Sequence, residues 1–386
     1  MFYADSAMLS IVRCVLLGLL AMGTNRCAGR ETPAVTFPGE SWVQRDPAAM
    51  GLDPNKLDRI ATLLGSSGCI IKDGYLVETW GSIDKRHDWF SSAKPIFSTL
   101  LFFAIQEGRI SGVDEKIGKW GWTLEGKDKA ITFRHLANMT SGYMQPERPG
   151  EAFAHNDFAV ALMIRTLEKV FDQSIGEATR QRIYKPLGMQ DAPYHQATPK
   201  GWKATGRAWI SVRDWARLSW FWMNKGNWNG KQLLPSFYFD QYMKPQVLGE
   251  TPYSRGPDVF GKLPSDPLPE DYLSVRSFGG GSNHYQYGAG IYGFHWYFNT
   301  PGTVGILYPD DHSAGRTFQS IWPGLPSDMI ITVGWGINTV MIPSLGLVLV
   351  CAENANWDHP YLTPESPGFL NNRILQLLGD SVGRVR

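Results

Sequence analysis

The chain has 386 residues, 43% of them hydrophobic and 19% charged, enough for roughly two to three domains' worth of core on a ~150-residue prior. That excludes a disordered chain, a collagen and a small disulfide scaffold. The 37 Lys and Arg against 36 Asp and Glu leave a formal net charge of +1. Such a balance gives no global field to draw nucleic acid or an anionic membrane, so a small molecule is the expected partner. The 41 Gly, 25 Pro, 15 Trp and 15 Tyr point to a turn-rich enzyme with aromatic-lined clefts.

At the start of the chain, Arg13 precedes an apolar run over residues 14–22 that ends in Gly23, Thr24 and Asn25. This is the pattern of a secretory signal peptide, with Met8 as an alternative start. The run is shorter than the ~18 apolar residues of a spanning helix, and no later stretch is long enough to span. A leader over 1–29 and a Pro-containing linker over 30–44 are therefore expected. The mature protein would be secreted or periplasmic, with no integral membrane segment once the leader is removed. Lipid attachment at Cys27 is the alternative, poorly served by Asn25 and Arg26 directly before it.

Residues 54–64 read as a helix. Asp73-Gly74, between apolar runs over 69–72 and 75–80, signals a hairpin. Thr132 and Ser211 each stand as a capping hydroxyl before a helical run. The segment 249–290 is dense in Gly, Pro and Ser and reads as a long functional loop. Apolar runs over 329–333, 338–342 and 347–351, joined by short turns, read as an antiparallel meander, followed by an amphipathic helix over 368–378. The expectation is an α+β fold: an antiparallel sheet formed by the N- and C-terminal segments, flanked by helices, with an inserted, mostly helical subdomain over about 111–284. Cys69 and Cys351 both fall in strand-like runs, either as buried free thiols or, if the strands are neighbours, as a disulfide.

Several catalytic signatures are missing: no G-x-S-x-G, no H-E-x-x-H and no C-x-x-C. Gly256 to Lys262 imitates a phosphate loop, but Leu263 replaces its hydroxyl. Asp310-Asp311-His312 reads as a solvated loop rather than a metal site, so neither metal nor cofactor is expected. The pattern S-x-x-K occurs twice. Ser82 and Lys85 lie in a charged loop, whereas Ser91 and Lys94 open an apolar helical run. Positions three apart share a helical face, so Lys94 can reach the Ser91 hydroxyl, and burial would favour a neutral, basic amine. Ser91 then becomes a nucleophile activated by its neighbour. A capping serine with a snorkelling lysine is the other reading. Pro95 is awkward for a helical Ser-to-Lys reach unless it lies in the first turn.

Taken in order, Ser91-Ser-Ala-Lys94, the run over 131–142, Tyr184-Lys-Pro-Leu-Gly-Met189, Ser211-Val-Arg-Asp214 and the terminal meander resemble the serine beta-lactamase and penicillin-binding protein superfamily, closest to its class C-like branch. The resemblance runs from about Trp42 to Leu378 and implies a single catalytic domain over 45–386. It implies that Ser91 is the nucleophile and Lys94 its base. The family's Y-x-N motif falls on His155-Asn156-Asp157, with His155 in the tyrosine slot. An imidazole, with an ordinary pKa of ~6.5, can shuttle protons near neutrality. The alternatives are that His155 only hydrogen-bonds in the cleft, that another tyrosine serves, or that the site has decayed. The K/H-T/S-G motif falls on Thr332-Val333-Gly334, followed by Trp335. The resemblance then implies an oxyanion hole from the Ser91 and Trp335 backbone N–H groups, and substrate contacts from Asp157, His295, Thr332 and Gly334. His295 and Trp296, in an expected strand over 292–297, either line the pocket or pack the core. Thr332 lacks the cation that would meet a substrate carboxylate, which favours an uncharged ester or amide. A D-alanyl peptidase, a beta-lactamase and a non-catalytic binding homologue with an aromatic-lined cleft are the alternatives.

Overall fold

The computed structural model describes residues 36–196, 207–254, 288–303, 317–318, 320, 322, 324–334, 337–352 and 372–382. The expected leader with Cys27, the phosphate-loop imitation at 256–262, most of the expected 249–290 loop, Asp310-Asp311-His312 and Trp335 lie outside the described residues.

The stretch from 36 to 44, expected as the end of a linker, is docked on the fold. Trp220 Nε1 donates to the Thr36 carbonyl at 2.9 Å, Arg217 to those of Gly39 and Glu40 at 2.9 and 2.7 Å, and Leu76 N to Val43 O at 2.9 Å. The Arg217 guanidinium is buried, so it needs such acceptors. Helix α1 (Pro54–Leu64) begins where Asp53 accepts from Asn55 N and Pro54 occupies the first turn, a position that loses no hydrogen bond. Its buried Leu57, Ile60 and Leu64 form one apolar stripe.

A seven-stranded antiparallel sheet is built from β1 (Ser67–Lys72), β2 (Tyr75–Trp80), β3 (Tyr292–Gly293), β4 (Trp296–Phe298), β5 (Ile330–Gly334), β6 (Ile337–Ile342) and β7 (Leu347–Ala352), in the order β2-β1-β7-β6-β5-β4-β3. A strand early in the described chain and one late in it thus meet at the β1–β7 pair, as the sequence predicts. Both strands are almost wholly buried, which is why they read as continuous apolar runs rather than alternating ones. Helices flank the sheet: α2 (Lys94–Gln106), α3 (Phe133–Ala137), α4 (Asp157–Phe171), α5 (Val212–Met223) and α6 (Asn372–Ser381). The last was expected over 368–378. It packs on α1, where Asp53 N donates to Ser381 O at 2.9 Å.

Register settles the two cysteines. Cys69 stands opposite Val350, and Gly68 opposite Cys351. Residues directly opposite share a face and neighbours alternate, so the two thiols point to opposite faces of the sheet. Both are free and buried. Burial pushes the Cys351 thiol up to about 12 and raises Cys69 as well, the charge of Cys351 adding to the latter.

The expected strand over 292–297 is instead a hairpin. β3 and β4 flank Phe294 and His295, both at positive φ, 48 and 73°. Nothing in that dipeptide announces a turn. It is imposed by partners elsewhere: Phe294 N donates to Asn138 Oδ1 at 2.9 Å, and the Phe294 ring packs 4.7 Å from that of Tyr242 and 5.7 Å from that of Phe102.

Candidate active site

Helix α2 is buried on nearly every side, from Lys94 to Ala104, as an apolar helix through the middle of a domain should be. Ser91 precedes it in a 3₁₀ turn, Phe90–Ala93, closed by Lys94 N donating to Ser91 O. This departs from the expected α geometry in a useful way. With three residues per turn, positions i and i+3 eclipse, and Lys94 Nζ lies directly over Ser91 and donates to its Oγ. Pro95 falls in the first turn of α2, where its missing N–H is no loss.

The turn is held from below. Trp89 is fully buried, stacks on Trp215 with centroids 3.9 Å apart, and donates through Nε1 to Ile210 O at 2.8 Å. Phe90 carries a positive φ of 41°, a conformation that costs about 1–3 kcal/mol outside glycine. Asp88 accepts its N–H at 3.0 Å and ion-pairs with Arg207, whose guanidinium lies 4.2 Å over the Phe90 ring. These contacts fix the half-buried Ser91 at the helix start.

Helix α4 delivers the second motif. Asn156 is its N-cap, its Oδ1 accepting from Phe158 N at 3.0 Å and Ala159 N at 3.1 Å, while its Nδ2 donates to Tyr143 O at 2.5 Å. Asn156 was missed as a functional position, although an Asn just before a helical run is a readable cap. The cap places Asp157 in the first turn, with Oδ1 3.2 Å from Lys94 Nζ. Asp157, expected at the substrate, therefore holds the lysine. His155 is buried immediately before the cap, and its charge and that of Lys94 both act on His295.

Strand β5 supplies the third motif. A Cβ built on Gly334 would come within 2.9 Å of both Ser92 N and Trp89 O, so only glycine lets this strand run so close to the Ser91 turn. Thr332, two residues earlier, points to the same face and is fully buried; its hydroxyl finds no partner among the described residues. His295 is 2% exposed, with Nδ1 2.8 Å from Ser98 Oγ, one turn beyond Lys94 on α2. Burial first, then the charges of Lys94 and His155, hold its imidazole well below its ordinary value. Thr332 and His295, both expected to touch substrate, are buried in this structure, Thr332 two residues before the Gly334 that meets the Ser91 turn and His295 against Ser98 of α2. Trp296 packs the core, edge-on to Trp222 at 5.6 Å. Tyr292, unassigned from the sequence, is a further buried group that feels the charge of Asp157. Burial raises its phenol well above the ordinary value, the charges of Tyr297 and Asp157 adding to the effect. Among the described residues no group of three or more His, Cys, Asp or Glu could hold a metal ion, and no helix is long and apolar enough to cross a membrane.

A serine and a lysine eclipsed at the start of a buried helix, beside the edge of an antiparallel sheet, define the serine beta-lactamase and penicillin-binding class of folds. The family model for beta-lactamases matches residues 58–257, just over half of the sequence, and the chain belongs to that family. The match carries Ser91, Lys94, His155 and Asp157 and ends before β3. Solved structures share the fold, three of them as follows. A candidate beta-lactamase of Bacteroides dorei superposes with a TM-score of 0.58 at 15% identity, over 86% of this chain and 100% of its own. EstCE1, a hydrolase with promiscuous acyltransferase activity, gives 0.55 at 12%, over 88% and 99%. A class C beta-lactamase of Rhodobacter sphaeroides gives 0.52 at 12%, over 86% and 97%.

Proposed function

We propose that this chain is an exported serine hydrolase that acts through an acyl-enzyme at Ser91 on an uncharged ester or amide. The observation that carries the reading is the hydrogen bond between the buried Lys94 Nζ and Ser91 Oγ at the start of α2. Ser91 Oγ attacks the carbonyl carbon, the Oγ–C bond forming as the carbonyl π pair moves onto oxygen, and the Ser91 proton passes to Lys94. The Ser91 and Trp335 amides receive the oxyanion, a term worth roughly 10²–10³-fold per donor in related chemistry. His155 returns a proton to the leaving group, and water releases the acyl group.

The preference for an uncharged substrate is supported by the local charges. Among the described residues, the two cations by the Ser91 turn, Lys94 and Arg207, are already ion-paired, with Asp157 and Asp88. Thr332 offers a buried hydroxyl where the family carries a cation. A substrate carboxylate would therefore lose its hydration without gaining an unpaired partner. Export is supported by the leader pattern, Arg13 followed by the apolar run over 14–22.

The test is mass spectrometry after treatment with a fluorophosphonate. A single adduct on Ser91 of the folded protein, lost in Ser91→Ala, is the expected result, and an unmodified Ser91 would remove the reading. A screen of p-nitrophenyl esters of increasing chain length beside nitrocefin then fixes the class. Ester turnover without nitrocefin turnover is expected; the reverse would make the protein a beta-lactamase.

A further inference from the structure

A small three-stranded sheet, Arg86–Asp88, Ala208–Ser211 and Tyr194–His195, adjoins the Ser91 turn. Asp88 and Tyr194 both stand opposite Trp209, so the three share a face with Arg86, two residues from Asp88. His87, Ala208 and Ile210 fall on the other face and are buried. The first face is open. Tyr194 is 43% exposed and Trp209 half-buried, and their rings are parallel to within 1° with centroids 6.1 Å apart. Arg86 lies 5.2 Å over the Tyr194 ring. The strip reaches Ser91 through Phe90, whose ring lies 4.2 Å beneath the Arg207 guanidinium. Phe90 is 36% exposed at a φ of 41°, so it carries backbone strain that glycine would relieve while gaining little from burial. Of the five large hydrophobic residues exposed among the described residues, two, Phe90 and Tyr194, lie on this strip. Arg207 is ion-paired with the buried Asp88. Away from Phe90 it therefore offers a planar guanidinium face rather than an unpaired charge, a surface that favours an aromatic ring over a carboxylate.

We propose that Phe90, Trp209 and Tyr194, with the Arg207 and Arg86 guanidinium groups stacked on two of the rings, form a subsite for an aryl group, and that the uncharged ester or amide attacked by Ser91 carries one close to its carbonyl. The proposal rests on the hydrolase reading and deepens it by naming the substrate class. Phe90 and Ser91 are consecutive, with Cα atoms about 3.8 Å apart. A ring attached one or two carbons from the carbonyl therefore comes within reach of the Phe90 side chain, and Trp209 and Tyr194 extend the strip for longer groups. Such a ring belongs to the acyl half or to the alcohol or amine half of the substrate, and from either it presents the same π face. A saturated ring of like size fills the subsite but lacks the quadrupole that guanidinium and aromatic neighbours recognise.

The experiment measures kcat/KM for two pairs of neutral esters in wild type, Phe90→Leu and Tyr194→Leu. The pairs are benzyl acetate against cyclohexylmethyl acetate, and methyl phenylacetate against methyl cyclohexylacetate. Within a pair only the aromaticity of the ring changes, so the ratio is free of any general loss of activity. In wild type the aromatic ester is preferred by at least ~5-fold in one pair or both, which identifies the half of the substrate that bears the ring. Leucine keeps an apolar side chain and removes the π face. In Phe90→Leu the preference falls by at least ~3-fold, and in Tyr194→Leu by about twofold. Two results overturn the proposal. One is a wild type with no aromatic preference in either pair, including one whose Ser91 labels with the fluorophosphonate while neither aromatic ester is hydrolysed. The other is a preference kept in full by Phe90→Leu; if that variant fails to fold, the same result in Tyr194→Leu decides the matter. A wild type that neither labels at Ser91 nor hydrolyses any of the four esters is a different failure and removes the hydrolase reading itself.

Discussion

The β1–β2 and β3–β4 hairpins of the same sheet make the same two-residue turn from opposite materials. Asp73 and Gly74 sit at φ of 51 and 84°, Phe294 and His295 at 48 and 73°, all in the left-handed region that a type I′ turn requires. Glycine enters that region freely and aspartate readily, so the first turn is stable on local grounds. Phenylalanine and histidine resist it, at about 1–3 kcal/mol each. The second turn persists because Asn138 receives the Phe294 N–H, Ser98 holds His295, and the Phe294 ring is clasped by Tyr242 and Phe102. Strain is kept where the turn brings an imidazole to Lys94, and absent where the turn only joins strands.

Exchanging the materials gives the largest expected effect. The double substitution Phe294→Asn with His295→Gly installs the preferred dipeptide for this turn. If local chemistry governed, the protein would gain stability. The contacts predict a net loss of about 3–5 kcal/mol, since a buried aromatic side chain is removed, to be read from urea unfolding. A variant as stable as wild type would erase the distinction between the hairpins. A smaller effect tests the imidazole alone. Burial and the charges of Lys94 and His155 hold His295 below its ordinary value, so the folded protein refuses a proton that the unfolded chain accepts. Stability is then complete above the ordinary imidazole value of ~6.5 and falls below it, by up to about 1.4 kcal/mol per pH unit. His295→Asn removes that slope, so wild type minus variant should lose stability from pH 7 to pH 5. His135, also held low by burial, is common to both proteins and cancels. Parallel pH profiles would show that the ring is not held neutral.

The same contrast explains what the sequence discloses. Helix α1 begins and ends where expected because Asp53 and Pro54 specify its start locally. The β1–β2 turn is legible from Asp73-Gly74, and strands β5 to β7 fall within a residue or so of their apolar runs. Ser91 and Lys94 are legible because their relation is three residues long, although the 3₁₀ geometry is not. Asp157 and Lys94 lie far apart in sequence, and nothing at either position announces an ion pair; Asp157 was therefore expected at the substrate. His295 and Trp296 were expected in one strand because residues 292–297 resemble the strand that often faces the pocket in this family, and the turn that separates them depends on Asn138 and Ser98. Local rules reach the scaffold, and the site is assembled by contacts between segments that no local rule relates.

The smallest expected effect bears on the first hairpin. Asp73→Asn keeps a residue tolerant of positive φ, and the backbone bond from Asp73 N to Gly346 O, 2.7 Å, is untouched. What it removes is the ion pair with Lys72, in which the Asp73 side chain is 37% exposed, and such solvent-facing pairs contribute about 0–1 kcal/mol. The change in stability should stay within about 0.5 kcal/mol, roughly 1–2 °C in Tm. This near-silence is informative beside the double substitution at 294 and 295. If Asp73→Asn instead lowered Tm by several degrees, the carboxylate would be holding the turn through its neighbours, much as Asn138 and Ser98 hold the other. The two hairpins would then differ only in how far away their supports lie, and strain could no longer be taken as the mark of the one that serves the site.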